Sequence, residues 1–411
     1  MARSAPALST FTAGEISPRL EGRVSIEKYR EGLSTLENMI VHPHGGVTRR
    51  PGTEFLGEVK ASANVTRLIP FEFKTSDTYA LEFGNLYMRV FRNGSQILSA
   101  AKTISAITKA NPGVLTSNSH GYSNGDEVFL SNSGAMTELL SRNYLVANVT
   151  TNTFTLTDLF GTAINTTSFT TFDSGVTTAK IYEITTPYPS ADLSTLRFVQ
   201  SADVMYFVHP SHAIRKLSRT DHDAWTLATE SISGSPTPNL NNASDNYPSV
   251  VTFFEQRLVY GATNNNPQSL WFSKSADYVN FTVGTNDDDA LIYTIASNKV
   301  NAIRYLSATR VLTIGTSGGE YVLTTRNNGP VTPTTTVIRK YSNYGCTSAE
   351  PIQVADVTVF AQRGSRKIRE FQYAGDVNQD AYVAPDISIL AEHLTEGGIL
   401  ELAYQQEPES I

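Results

Sequence analysis

The sequence predicts a mainly β protein: a propeller-like body of antiparallel blades, a small inserted β domain and a short mixed N-terminal platform. Three observations carry this. Charged residues make up only 17 % of the 411-residue chain, below the usual share of about a quarter, and Ser, Thr, Asn and Tyr take their place, a composition that favours strands and turns. Short alternating runs are separated by Gly and Asn turn signals, the pattern of hairpins. Groups of such runs begin at Leu196, Val250, Val300 and Ile352, a period of roughly 50 residues, as expected of four-stranded propeller blades. One such sheet cannot bury both faces alone, and radial packing of neighbours solves that.

Residues 1–65 read as the platform. Charges alternate from Glu21 to Glu31, and Leu33, Leu36, Met39 and Ile40 fall at helical spacing, which predicts a short helix over about 25–40. Pro43-His44-Gly45-Gly46 and Arg49-Arg50-Pro51-Gly52 then mark loops whose backbone needs special dihedral angles. Residues 66–103 carry the first propeller strands: Leu68–Phe73, Tyr79–Phe83 and Leu86–Phe91, with turns at Gly84-Asn85 and Asn93-Gly94. Residues 104–186 are Thr-, Ser-, Asn- and Gly-rich and hold short strands such as Glu127–Leu130, Tyr144–Val149 and Phe154–Thr157; they read as the inserted domain. Residues 187–411 hold the repeats. Ile399–Tyr404 looks like the first strand of a further blade, so the last unit is expected to be incomplete and completed elsewhere.

Charge and cysteine content bound the function. The formal net charge is −7, with an isoelectric point near 5.6, which argues against an overall grip on nucleic-acid phosphates. The one cysteine, Cys346, forms no intrachain disulfide. No stretch reaches the ~18 apolar residues of a membrane helix, and Met1–Gly14 lacks the apolar core of a signal peptide, so folding in an intracellular compartment is expected.

No candidate for chemistry survives comparison with a simpler reading. Gly315-Thr316-Ser317-Gly318-Gly319 matches the nucleophile-elbow pattern, but that motif needs a following helix and Glu320–Thr324 reads as a strand. Asp287-Asp288-Asp289 lacks the spacing of a calcium loop and reads as a turn. The pairs His42/His44 and His209/His212 lack two further zinc ligands nearby in sequence. Cys346 has no CxxC partner and reads as a small core residue. Arg363, Arg366, Lys367 and Arg369 read as a hairpin loop, with a nucleic-acid patch or a subunit rim as alternatives. The expectation is a protein with no catalytic residues, no metal and no cofactor.

Several motifs in order resemble a known family. Phe11-Thr12-Ala13-Gly14-Glu15-Ile16-Ser17-Pro18, Pro43–Thr53, Thr316–Glu320, Ser342–Cys346, Gln362–Gly364 with Lys367–Glu370, and Leu402–Pro408 look like the tail nozzle (tail tubular B-like, or stabilization) proteins of short-tailed bacteriophages. His120–Asp126 and Met136–Leu139 resemble the small β module named after the FCCH region of ubiquitin-activating enzymes, without its chemistry. The resemblance implies a virion tail subunit forming a six-fold ring below the portal and its adaptor. Such a ring retains the genome and lets double-stranded DNA pass without reading its sequence; tail fibres or spikes are further candidate partners. Relatives usually continue past Glu407, which fits an incomplete last blade. Ring attachment falls to Pro43, His44, Gly45, Gly46, Arg49, Arg50, Pro51 and Gly52. The competing expectation is a glycan-binding or glycan-degrading propeller for receptor recognition.

Overall fold

The computed structural model describes residues 8–132, 136–240, 246–297, 300–326, 329–375 and 382–406. Five antiparallel blades, each of four main strands, follow one another along the described chain. The first takes Arg67–Lys74, Asp77–Gly84 and Tyr87–Arg92, and its fourth strand, Glu183–Thr185, returns only after the inserted domain. The others are simple meanders beginning with Arg197–Ser201, Pro248–Phe254, Ile303–Ala308 and Ile352–Val354. These starts lie within three residues of the predicted ones. The body is therefore propeller-like, as the repeat implied.

The second, third and fourth blades bury apolar side chains on both faces, because each lies between two others. The cores accordingly lie between sheets. Phe71, Leu81 and Phe83 of the first blade pack on Met205, Phe207 and Trp225 of the second, with the Phe71 and Trp225 ring centroids 4.8 Å apart, edge to face. Tyr206 and Ile214 of the second meet Tyr260 and Trp271 of the third. Val259 and Phe272 meet Leu312 and Leu323, and Tyr305 and Val322 meet Phe360 and Phe371. Arg67 of the first blade donates to Leu193 O (3.1 Å) and to Glu350 (3.1 Å), just before the fifth blade. Arg197 donates to Ser348 O at the same place. These two guanidinium groups draw the start of the fifth blade toward the first two.

The inserted domain is a seven-stranded antiparallel sheet. Its core is its own: Leu115, Val128, Leu130, Phe154, Leu156 and their neighbours all come from residues 104–176. The residues that resemble the FCCH module are structural in it. The buried His120 ring packs on Phe154 (5.0 Å), Tyr122 donates to Thr178 O (3.0 Å), and Asp126 pairs with Lys180 (2.7 Å). Its edges differ from the predicted 104–186. Lys102–Thr103 already pairs within this sheet, whereas Glu183–Thr185 pairs with Tyr87–Arg89 of the first blade. The chain enters and leaves side by side, through the Leu98–Ile181 bridge.

Two further expectations are corrected. Residues 25–40 hold no α-helix: a 3-10 turn spans Glu27–Glu31, followed by the strands Gly32–Leu33 and Met39–Val41. Gly32 is extended, and a Cβ there would lie 2.7 Å from Ile16 Cγ2, so the strand Gly14–Glu15 packs where a helix would need space. Asn38, at φ 55°, redirects the chain again. The apolar spacing therefore serves two strand pairings. Ile399–Tyr404 also forms no strand. It runs as a strap, Ile399 N donating to Ser365 O (2.7 Å) and Glu401 lying 3.7 Å from Arg67. The end of the motif, from Glu407, lies outside the described residues.

Candidate functional site

The platform positions the residues expected to mediate attachment. Met39–Val41 pairs with Val47–Arg49, so the first Pro/Gly cluster is the turn of a hairpin and the second ends it. His42 N donates to Gly46 O (2.8 Å) and Gly45 N to His42 O (2.9 Å), closing the turn. Gly45 has φ +97°, and a Cβ would sit 2.6 Å from Thr10 Oγ1, so only glycine fits. Phe11 N donates to Gly45 O (2.9 Å), tying the N-terminal segment to the turn. Beyond the second strand, Arg50 returns to Asn38 through its backbone N (3.0 Å) and its Nε (3.1 Å). Of the eight predicted residues only Gly45 is buried; Pro43, His44, Gly46, Arg49, Arg50, Pro51 and Gly52 face solvent. The hairpin is thus tied at its base and turn while its polar and cationic groups stay open to a partner.

A clasp that sequence spacing did not reveal joins this platform to the far end of the chain. Glu15 Oε2 accepts Leu36 N (2.6 Å), and Glu15 Oε1 bonds His393 Nε2 (2.8 Å), 378 positions away. The His393 hydrogen bond, more than any other contact, holds the Glu15 carboxyl below the usual range. Ser17 N donates to Leu390 O (2.7 Å), and Arg19 lies 3.5 Å from Glu392. The basic cluster is used from the other side. Lys367 pairs with Asp386 (2.8 Å) and Glu392 (3.2 Å), Arg366 donates to Glu396 O, and Arg369 bonds Gln362 (2.7 Å) and Ala384 O while covering the Tyr344 ring (3.4 Å). These cations bolt the C-terminal segment to the fifth blade and, through it, hold the platform. Apart from Gln362, their partners lie 15–30 residues away in sequence, which is why the cluster alone suggested a free loop.

The platform's exit and the C-terminal strap also leave apolar side chains in solvent. Phe55 is 79 % and Leu400 91 % exposed, and Leu56, Val65 and Leu68 are each at least half exposed. Apolar exposure of this kind, where it is contiguous, marks contact surfaces.

The remaining candidates resolve into structural roles. Ser317 lies in a two-residue hairpin turn between Leu312–Thr316 and Gly319–Thr325, closed by Thr316 Oγ1 donating to Gly319 O (2.6 Å). The Asp287–Asp289 turn wraps a cation of the protein's own: Arg257 donates to Asp287 O (2.6 Å) and Asp289 O (2.7 Å), and Lys274 pairs with Asp288 (3.0 Å). Cys346 is buried, donates to Thr316 O (3.3 Å), and burial pushes its thiol well up, the opposite of a nucleophile. Glu320, in the same corner, is fully buried, accepts the Ser342 hydroxyl and is pushed up to about 7 by desolvation. Beside it opens a polar cleft of about 810 Å³, lined among others by Tyr293, Tyr321, Tyr344, Asn301, Lys340 and Arg363. His42 bonds Thr48 (2.8 Å) and stays on the hairpin. His209 and His212, in contrast, are joined by Asp192. Among the described residues no helix is long and apolar enough to cross a membrane.

No protein-family model matches the chain, and no curated protein matches it. Among solved structures it is similar to a phage phi92 endosialidase, at 12 % identity and a TM-score of 0.31, over 79 % of this chain and 57 % of that one. It is also similar to the β-propeller domain of Myceliophteria thermophila Cps50 (Swd1), at 9 % identity and a TM-score of 0.32, over 70 % and 86 %. Kluyveromyces lactis Hsv2 aligns at 9 % identity and a TM-score of 0.27, over 78 % and 98 %. At these scores the likenesses carry no argument about function; the blade assignment rests on the sheet topology.

Proposed function

We propose that this chain is a structural subunit of a bacteriophage tail nozzle, in which the Met39–Arg50 hairpin docks the subunit onto the portal and adaptor ring. The observation that carries the reading is the hairpin itself: anchored at its base and turn on a platform that Glu15 and Ser17 clasp to the C-terminal segment, and presenting Arg49, Arg50 and His44 to solvent. The ordered sequence motifs support it, since Pro43–Thr53 forms the hairpin tip and its exit. The exposed apolar residues around Phe55 and Leu400 supply a surface that a neighbouring subunit would cover. In this reading six copies form a ring in the virion tail, around a channel that retains and then passes double-stranded DNA. A ring of identical subunits closes through head-to-tail interfaces, and the acidic average suits passage over capture.

Native mass measurement and electron microscopy of the full chain test this. A six-fold ring with an axial hole is expected, and Arg49→Glu with Arg50→Glu should abolish attachment to tail-less heads. A monomer, or heads that acquire tails with the doubly substituted chain, would sink the proposal.

A second reading, receptor recognition through glycans, is favoured by the cleft at Tyr293, Tyr321, Tyr344, Lys340 and Arg363, which offers aromatic faces beside cations. Among the described residues its lining holds no Asp or Glu, and the aromatic and cationic groups there suit binding. A glycan screen with Tyr321→Ala as control separates the two readings.

A further inference from the structure

Three side chains with metal-binding chemistry converge where the first blade hands over to the second. Asp192 lies in the 3-10 turn Ser190–Thr195, His209 ends the strand Val204–His209, and His212 begins the strand His212–Asp221 after the turn Pro210-Ser211. One ligand atom from each lies within 4.8 Å of the other two. Nothing in the sequence spacing marks Asp192 as the third member, because it comes from the crossover and not from the hairpin.

We propose that Asp192, His209 and His212 bind one divalent first-row transition-metal ion, of the zinc class, with water completing the shell. The donor set chooses the ion: two imidazoles and one carboxylate suit Zn²⁺ and its neighbours, whereas Ca²⁺ and Mg²⁺ seek six or more oxygens. The protonation pattern suits it too. Ser211 N donates to His209 Nδ1 (3.1 Å), so that nitrogen holds a lone pair, which an ion would take over from Ser211. Thr195 donates its hydroxyl to Asp192 O (3.1 Å) and so accepts from His209 Nε2 (2.8 Å). His209 is therefore a neutral imidazole, the form that metals take. Its ring is oriented by an outer hydrogen bond, as ligating histidines usually are.

Access and spacing are adequate. His209 is 3 % exposed, but Asp192 and His212 are only partly buried, so an ion can enter from solvent. His212 Nε2 and Asp192 Oδ2 are 2.7 Å apart and share a proton that an ion would replace. Tetrahedral zinc with bonds of about 2.0–2.1 Å places its ligand atoms about 3.3 Å apart, so the trio need only shift by roughly an ångström. The bound ion would fasten the crossover turn to the second blade's hairpin. This inference is independent of the nozzle reading.

The test uses the full chain, freed of any affinity tag and stripped with a chelator. ZnCl₂ is titrated by calorimetry and CoCl₂ by visible absorption. One ion per chain is expected, with a rise in Tm, and with affinity lowered roughly a hundredfold in Asp192→Asn and His212→Gln but unchanged in His44→Ala. No stoichiometric uptake, or uptake undiminished in both site variants, means a hydrogen-bonded clamp only and overturns the proposal. Should a substitution unfold the chain, the unsubstituted protein decides: Zn²⁺ must protect His212 from diethyl pyrocarbonate, and a failure to protect it overturns the proposal as well.

Discussion

The inserted domain and the blades solve the same problem, burying β-sheet faces, in opposite ways. Residues 104–176 contribute every member of the inserted domain's core. No blade does this: each core is assembled from two consecutive sheets, as when Phe71 and Phe83 meet Phe207 and Trp225. The inserted domain is thus a unit that can be moved, and the blades stand or fall with their neighbours, as in other repeat architectures. The difference also shows at the junction. Arg89, 1 % exposed, reaches Glu127 of the inserted domain (2.8 Å) and Glu183 of the returning strand (3.1 Å). A buried charge pair, not a shared apolar core, is the principal tie between the two.

The comparison breaks first at the shared core. Phe207→Ala should cost about 4 kcal/mol and unfold blades on both sides of the second, while hydrogen exchange in residues 106–180 stays slow. Coincident loss of protection in the inserted domain would show that it does not stand alone. Arg89→Ala comes next, at about 3 kcal/mol, because it leaves the buried Glu127 without a counter-charge, while Glu183 keeps Lys60. Here protection should fall in the Tyr87–Arg92 and Glu183–Thr185 strands more than in either core.

A third difference is pH. Glu320 in the fourth blade has its carboxyl raised from 4.5 to about 7, so the folded blade holds its proton longer than the unfolded chain. Protonation therefore favours the fold, and stability is lost as pH rises from about 4.5 to 7 and levels beyond. The loss attributable to this group is roughly 3 kcal/mol. Calorimetry of Glu320→Gln should show that part of the slope gone from the blade transition, with the inserted domain's transition unmoved. The smallest thermodynamic effect belongs to the hairpin: Arg49→Glu with Arg50→Glu should change stability by less than about 0.5 kcal/mol, since both residues are exposed, while removing ring attachment. A large fall in Tm would make these arginines structural.

Local pattern carried the repeat because strands and turns are written in neighbouring residues. Asn and Gly turns, period-two alternation and a recurring start are all short-range signals, and the observed blade starts follow them closely. The same logic failed at 25–40. Helical spacing of Leu33, Leu36, Met39 and Ile40 is also what two short strands facing different neighbours produce, and only the approach of Ile16 to Gly32 distinguishes the two. It failed again at Ile399–Tyr404, where strand-like residues form a strap held by Ser365.

Composition, turn chemistry and periodicity by themselves determined a β-rich chain of repeated sheets with one interruption, and marked loops at Pro43–Gly46 and Arg49–Gly52. Those properties depend on contacts within a few tens of residues. Tertiary structure alone decided the pairings across the chain: Glu15 with His393, Arg67 with Glu350, Arg257 within the Asp287–Asp289 turn, and Asp192 beside His209 and His212. A charged or ligating side chain reaches its partner in space, and its sequence neighbourhood holds no record of which distant segment the fold brings there.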